Sequence, residues 1–277
     1  MKRIIKNHGF NPKPILADQY VFGAGKVPEV ILQADGQWDK FLPVFEKQSN
    51  DSLETYGCTV FGTLNAREIL KIKISGIEEN YNDRDLYIIS NTAPPGNDPH
   101  VVAETMRLKG VSFEKTLPFR DDIKNLIEFA SFESKETLLI KEREISLTKF
   151  EYLHEWVFNI NLPLKQKQAL IIKNLQFSPL GVSVRAWDQR ENGLYYKEQG
   201  EQDTHWCVLI GYEYGKHWKV YDTYPTSDGE AIKYLEWDYD FGYCKRYYLA
   251  PKFKENLVLE EKTFWKLIIN FFKKYLK

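Results

Sequence analysis

The chain has 277 residues and is short of cysteine and of net charge. Three cysteines, Cys58, Cys207 and Cys244, make no even disulfide framework. That excludes the small stapled secreted folds and points to a reducing compartment. A single Cys207–Cys244 bridge stays open. With 38 basic and 39 acidic residues the net charge is −1, so no global field favours nucleic acid. No apolar run approaches membrane-spanning length. The opening MKRIIKNHGFNPKP is basic but has no apolar stretch of a secretory signal, so a cytoplasmic location is expected. There is no internal repeat and no low-complexity segment. His8, His100, His154 and His217 show no paired ligand spacing, so metal catalysis has no support, and no cofactor is expected.

The composition that remains is ordinary for a folded domain: 43% hydrophobic and 28% charged. At this length the chain can bury a large core, as one two-lobed domain or two small ones. Aromatic residues make up 15%. Much of that is Tyr and Phe in the second half, which suits strands.

The pattern divides the chain. Residues 1–35 read as irregular, broken by Pro12, Pro14 and Pro28 with Gly23 and Gly25 between. Residues 58–73 read as a helix buried on most of its surface. Asp98–Leu108 reads as a second helix, with Asp98 as cap and Gly110 as stop. Residues 121–175 read as helical patches, such as 165–175, alternating with charged stretches. After residue 180 the period becomes two. Val182, Val184 and Ala186 alternate with polar neighbours. Residues 205–213 and 217–224 form a hairpin around Tyr214-Gly215-Lys216, and 231–236 and 243–249 add two strands.

Against this layout one constellation carries chemistry. Cys58 sits in ETYGCTVFGTLNAREIL, where a glycine-ended loop becomes an apolar helix. His205, in THWCVLIGY, follows 147 residues later, and Asp222, in WKVYDTYP, 17 after that. A thiolate is the nucleophilic form of cysteine, and the partial positive charge of a helix N-terminus favours it. An imidazole can take the thiol proton, and a third polar group must hold that imidazole in one tautomer and orientation. Cys58 is thus the candidate nucleophile, His205 the base and then the acid, and Asp222 the orienting group. Cys207, two residues after His205, reads as core.

These segments resemble those of papain-like cysteine peptidases, in a divergent form of the kind found in phage genomes. The resemblance lies in WDKFLPVFEKQSNDSLETYGCTVFGTLNAREIL (38–70), GNDPHVVAETMRLKGVSFEKTLPF (96–119), PLGVSVRA (179–186) and the hairpin and strands of 205–249. It spans residues 36–250 in the family's order. It implies an α+β, papain-like two-lobed fold, with a helical lobe, an antiparallel β-rich lobe and the active-site cleft between them. The expected boundaries are 1–35 for an N-terminal segment and 36–255 for the catalytic domain. Within that domain the helical lobe covers about 36–160 and the β lobe about 161–255.

Four positions depart from the family. Asp222 stands where Asn is usual. The oxyanion glutamine usually lies six residues before the cysteine, where this chain has Ser52. The resemblance passes that role to Gln48, ten residues before, with Asn50 and Glu54 as rivals. The aromatic after the cysteine is Thr59, and the tryptophan of the Asn-Ser-Trp segment is Tyr224. The implied activity is hydrolysis of peptide or isopeptide amides, with a peptide or protein as partner. A phage structural or interaction protein that keeps the fold with weak or no activity is a second reading. A cell-wall peptide amidase is a third. If phage-encoded, the chain would work in the host cytoplasm or the virion. Residues 1–35 could fill the cleft or brace the β lobe.

The tail KTFWKLIINFFKKYLK, within 256–277, reads as an amphipathic helix. Its apolar residues face one way and Lys266, Lys273, Lys274 and Lys277 the other. It could dock on its own domain, on a partner protein or on a membrane surface.

Overall fold

The computed structural model describes residues 9–16, 18–19, 26–158 and 161–252. The tail helix expected over 256–277 lies outside the described residues. In chain order the elements are β1 (Gly9–Phe10), α1 (Cys58–Ser75), α2 (Asp83–Ile89), β2 (Gly96–Asn97), α3 (Pro99–Lys109), α4 (Leu126–Phe129), α5 (Glu136–Lys149), β3 (Phe150–Trp156) and α6 (Leu164–Leu175). Then follow β4 (Leu180–Val184), β5 (Asp188–Gln189), β6 (Tyr195–Tyr196), β7 (His205–Glu213), β8 (His217–Tyr221), β9 (Ile232–Glu236) and β10 (Cys244–Pro251).

The first half is mainly helical. In α1 every residue from Cys58 to Lys71 is buried. Apolar and small residues occupy most of this stretch, and the charged ones buried with them are partnered: Arg67 donates to Ser146, Glu68 accepts from the Tyr81 amide and Lys71 pairs with Glu79. It stops at Gly76, whose φ of 67° turns the chain and lets its N–H reach the Ile72 carbonyl. Helix α3 starts and ends where its sequence directs. Asp98 accepts from the amides of His100 and Val101, Pro99 fills the first turn, and Gly110 ends the helix.

The second half is one eight-stranded sheet in the order β3-β10-β4-β7-β8-β9-β6-β5. Its pairings are antiparallel except for β6 with β9. Val184 of β4 stands opposite His205 of β7, and Val182 opposite Cys207. This register turns Cys207 into the main core, as its flanking apolar run requires. All three cysteines are free, so the bridge left open between Cys207 and Cys244 is not formed.

Helix α1 packs on β7, and two glycines permit the approach. A Cβ at Gly62 would sit 3.0 Å from the Trp206 ring, and one at Gly181 only 2.4 Å from it. Trp206 thereby fills the seam between the helices and the sheet. Burying each such side chain is worth about 1.5–3 kcal/mol.

Two elements differ from the sequence reading. Strand β3 lies in a stretch read as helical patches, yet Phe150, Tyr152, His154 and Trp156 repeat every second residue, and the strand pairs with β10 along its whole length. Helix α2 was not anticipated. It is short, and its cap Asn82, which accepts from Asp85 N–H, is its clearest local signal.

Arg84 in α2 ties down the following loop. It is fully buried and donates to the carbonyls of Phe129 (2.9 Å), Pro118 (3.0 Å), Glu128 (2.7 Å) and Ser131 (3.0 Å), and it pairs with Glu133. Arg84→Met leaves four carbonyls without their donor. It is expected to lower unfolding stability by about 3–5 kcal/mol, measured by urea titration. A loss below about 1 kcal/mol would show that those carbonyls find other donors.

Candidate active site

Cys58 opens α1. The residue before it, Gly57, has no side chain with which to cap the helix, and its own N–H donates to Thr55 Oγ1 at 3.1 Å. The first amides of the helix are thus left facing the loop, as helix starts require. The backbone amides of Thr59 and Trp206 hydrogen-bond the Cys58 sulfur. Trp206 follows His205 on β7, so helix start and strand start meet at the thiol.

His205 begins β7 and is fully buried. Its Nε2 lies 2.5 Å from Asp222 Oδ1. Asp222 sits just past β8, where its N–H bonds the Ala231 carbonyl at 2.9 Å. With Nε2 committed to Asp222, proton exchange with a thiol falls to Nδ1. Burial alone would raise the Asp222 carboxyl, but His205 and Lys233 together hold it down to about 2. Trp187 stands edge-on to the His205 ring at 5.9 Å, and Tyr224 lies 5.2 Å away on a tilted plane.

Gln48 is fully buried. Its Oε1 accepts from Thr223 Oγ1 at 2.7 Å, and its Nε2 donates to Tyr224 Oη at 2.8 Å and to Glu54 Oε1 at 3.2 Å. Tyr224 in turn donates to Glu54. The four residues link the loop before Cys58 to the segment after Asp222. Of the two rivals, Glu54 joins this network. Asn50 turns away, donating to the Ile123 carbonyl and accepting from the amides of Ser52 and Leu53.

The thiol is covered. Strand β1 pairs in parallel with β2 and packs on α1 and β7. Phe10 stacks on Trp206 at 5.8 Å and meets Tyr243 edge-on at 5.7 Å. Phe10, Cys58, Trp156 and Trp206 form one small apolar cluster, and Cys58 has no exposed surface. Gly9 approaches so closely that a Cβ there would lie 2.1 Å from the Tyr56 carbonyl oxygen, and its φ is +113°. Further along, Lys13 N–H bonds Asp98, and Trp156 Nε1 donates to Gln19 at 3.2 Å. The described parts of residues 1–35 do two things: Gly9–Phe10 runs across the start of α1, while Val27 accepts from Arg246 of β10 and the Leu32 and Gln33 amides donate to the Gln176 carbonyl after α6. Burial pushes the Cys58 thiol well up, against the pull of the Trp206 and Thr59 amides. Burial of the covered sulfur thus works against the thiolate that its helix position favours.

Among the described residues no group of three His, Cys, Asp or Glu side chains is arranged to hold a metal ion. His100 and His154 do pack together, at 5.1 Å. Lys245 lies 3.4 Å and 3.2 Å from their Nδ1 atoms, and His154 Nε2 meets Glu104 at 3.0 Å. The amine donates to both imidazoles, so both are neutral acceptors. Burial first, and Lys245 second, hold His154 down to about 3 and His100 to about 4; burial holds Lys245 down to about 7. The unfolded chain protonates its histidines near 6.5 and its lysine near 10.5. Stability should therefore fall as pH drops from about 6.5 towards 4, and rise with pH from about 7 towards 10.5. Urea unfolding across pH checks this. Lys245→Met should flatten the alkaline rise, and an unchanged slope would remove Lys245 as its source.

No protein-family model matches the chain, and no curated protein matches its sequence. Solved structures do resemble it. Digestive procathepsin L 3 from the larval midgut of Tenebrio molitor superposes with a TM-score of 0.57 at 14% identity, covering 90% of this chain and 77% of that one. The proform of the ragweed pollen cysteine protease Amb a 11 gives 0.55 at 12%, covering 84% and 69%. A recombinant stem bromelain precursor gives 0.53 at 16%, covering 91% and 79%. The fold is therefore α+β and papain-like.

Proposed function

We propose that the chain is a thiol hydrolase that cleaves peptide or isopeptide amides through a Cys58 acyl-enzyme. The observation that carries this is the meeting of the Cys58 sulfur with the Trp206 amide, next to a His205 already bound by Asp222. Once uncovered, Cys58 would give its proton to His205 and attack the carbonyl carbon. The Cys58 N–H would receive the developing oxyanion, joined by the Gln48 amide if it exchanges Glu54 and Tyr224 for the substrate. His205 would then protonate the leaving amine, and water would release the acyl group with the same roles reversed.

The covered thiol and the occupied Gln48 amide describe a latent state. The neighbours named above are likewise a procathepsin, a proform and a precursor. The same two observations also favour the second reading, a protein that keeps the fold without turnover. Hydrolysis of casein by the full chain, compared with Cys58→Ala, separates the two. Cleavage that persists in Cys58→Ala contradicts the acyl-enzyme, and no cleavage by either protein under any uncovering condition supports the interaction role. Cleavage of cell-wall peptides in place of casein would favour an amidase using the same pair. A phage-type origin and an isopeptide substrate remain proposals drawn from the sequence resemblance. Three free cysteines suit the proposed reducing, cytoplasmic setting. Among the described residues no helix is long and apolar enough to cross a membrane.

A further inference from the structure

We propose that Lys233 is a positioning residue of this site, cancelling the charge of Asp222 so that the buried pair acts on His205 as a neutral hydrogen-bond acceptor would. The inference rests on the reading of His205 as the base. Lys233 lies on β9, where it and Leu235 share the buried face, and it is 2% exposed. Its Nζ is 2.8 Å from Asp222 Oδ2 and also donates to the Tyr224 carbonyl. It stands 5.1 Å above the Trp187 ring, the ring that meets His205 edge-on. Lys233 thus reaches the imidazole by two routes, through the carboxylate and through the indole.

The chemistry makes this pairing consequential. A carboxylate at hydrogen-bond distance from an imidazole raises its proton affinity strongly in a buried site. An asparagine at position 222 would bring no such charge. Asp222 does bring it, and a lysine ammonium on its second oxygen removes most of it. The groups that lower the Asp222 carboxyl are His205 and Lys233, and of these Lys233 is the permanent cation. The other titratable groups around this centre are Cys58 on α1, Cys207 on β7, Tyr195 on β6, Glu54 and Tyr224 in flanking loops, and Asp203 before β7. None of these is cationic, so no other side chain among them could take over the role of Lys233.

The test is the titration of the His205 ring followed by NMR in the full chain carrying Cys58→Ala, which needs no turnover. Adding Lys233→Met should raise the His205 midpoint by about one unit or more. Asp222→Asn should lower it and leave Lys233 unpaired. The double substitution Asp222→Asn/Lys233→Met should return the midpoint to within about half a unit of the parent, since both charges leave together. Lys233→Arg should keep it. A Lys233→Met protein that loses stability while His205 titrates as before would make Lys233 merely structural and overturn the proposal. So would a double variant no closer to the parent than the singles. If Lys233→Met fails to fold, the arginine and double variants carry the test. Because no substrate is involved, a failure here leaves the Cys58 chemistry standing, and an inactive wild type leaves the charge pairing standing.

Discussion

Replacing Cys58 with alanine is expected to abolish amide hydrolysis, with kcat/KM falling by about three orders of magnitude or more. No other thiol can substitute. Cys207 and Cys244 are buried in the main core, and burial pushes both thiols well up. A cleft-facing thiol could be removed at little cost to the fold, but this sulfur is fully buried among Phe10, Trp156 and Trp206. A stability loss of about 1 kcal/mol is therefore expected alongside the loss of activity. His205→Ala should lose activity to a similar degree, because the thiol then loses the imidazole that would take its proton. Activity assays paired with thermal melts check both. Full activity in either variant would remove that residue from the mechanism.

Unseating the N-terminal segment should act in the opposite direction. Gly9→Val places a branched side chain where even a Cβ would lie 2.1 Å from the Tyr56 carbonyl oxygen, at a φ of +113° that valine rarely adopts. The obstacle is backbone, which cannot yield as a flexible side chain could. The variant should lift β1 from β2 and withdraw Phe10 from Trp206. Hydrolysis of a peptide substrate should then rise on the order of tenfold or more, as the uncovered state becomes the populated one. Gly96→Val meets the Gly9 carbonyl from the other side at 1.9 Å and should behave alike. If both variants fold and neither gains activity, the segment is a brace and the latent state has another cause.

The sequence made much of this legible where local chemistry decides. The caps Asp98 and Gly110, the apolar α1 and the β7–β8 hairpin are written in residue types whose preferences are local. The same holds for Cys58 at its helix start. Other features depended on partners far along the chain. Strand β3 carried a period-two pattern, but its charged residues hid it until β10 supplied a neighbour. Only the resemblance favours Gln48 over Asn50 and Glu54 in the sequence. The structure shows Gln48 bonded to Glu54 and both of them to Tyr224, 176 and 170 residues away, contacts that spacing could not reveal. Lys233 carries one local signal: a lysine on the inward register of an apolar strand needs a buried partner. The role of residues 9–19 had no signal at all, because it follows from shape at the mouth of the site.

The central claim is that Cys58 is a nucleophile activated by His205 once uncovered, and the most direct measurement is alkylation by iodoacetamide at pH 6, mapped to each cysteine by peptide mass analysis, in the Gly9→Val chain with and without His205→Ala. Cys58 should be labelled at least about tenfold faster than Cys207 and Cys244, and His205→Ala should erase this preference. Three cysteines labelled at equal rates, or a Cys58 preference that survives the loss of His205, would contradict it.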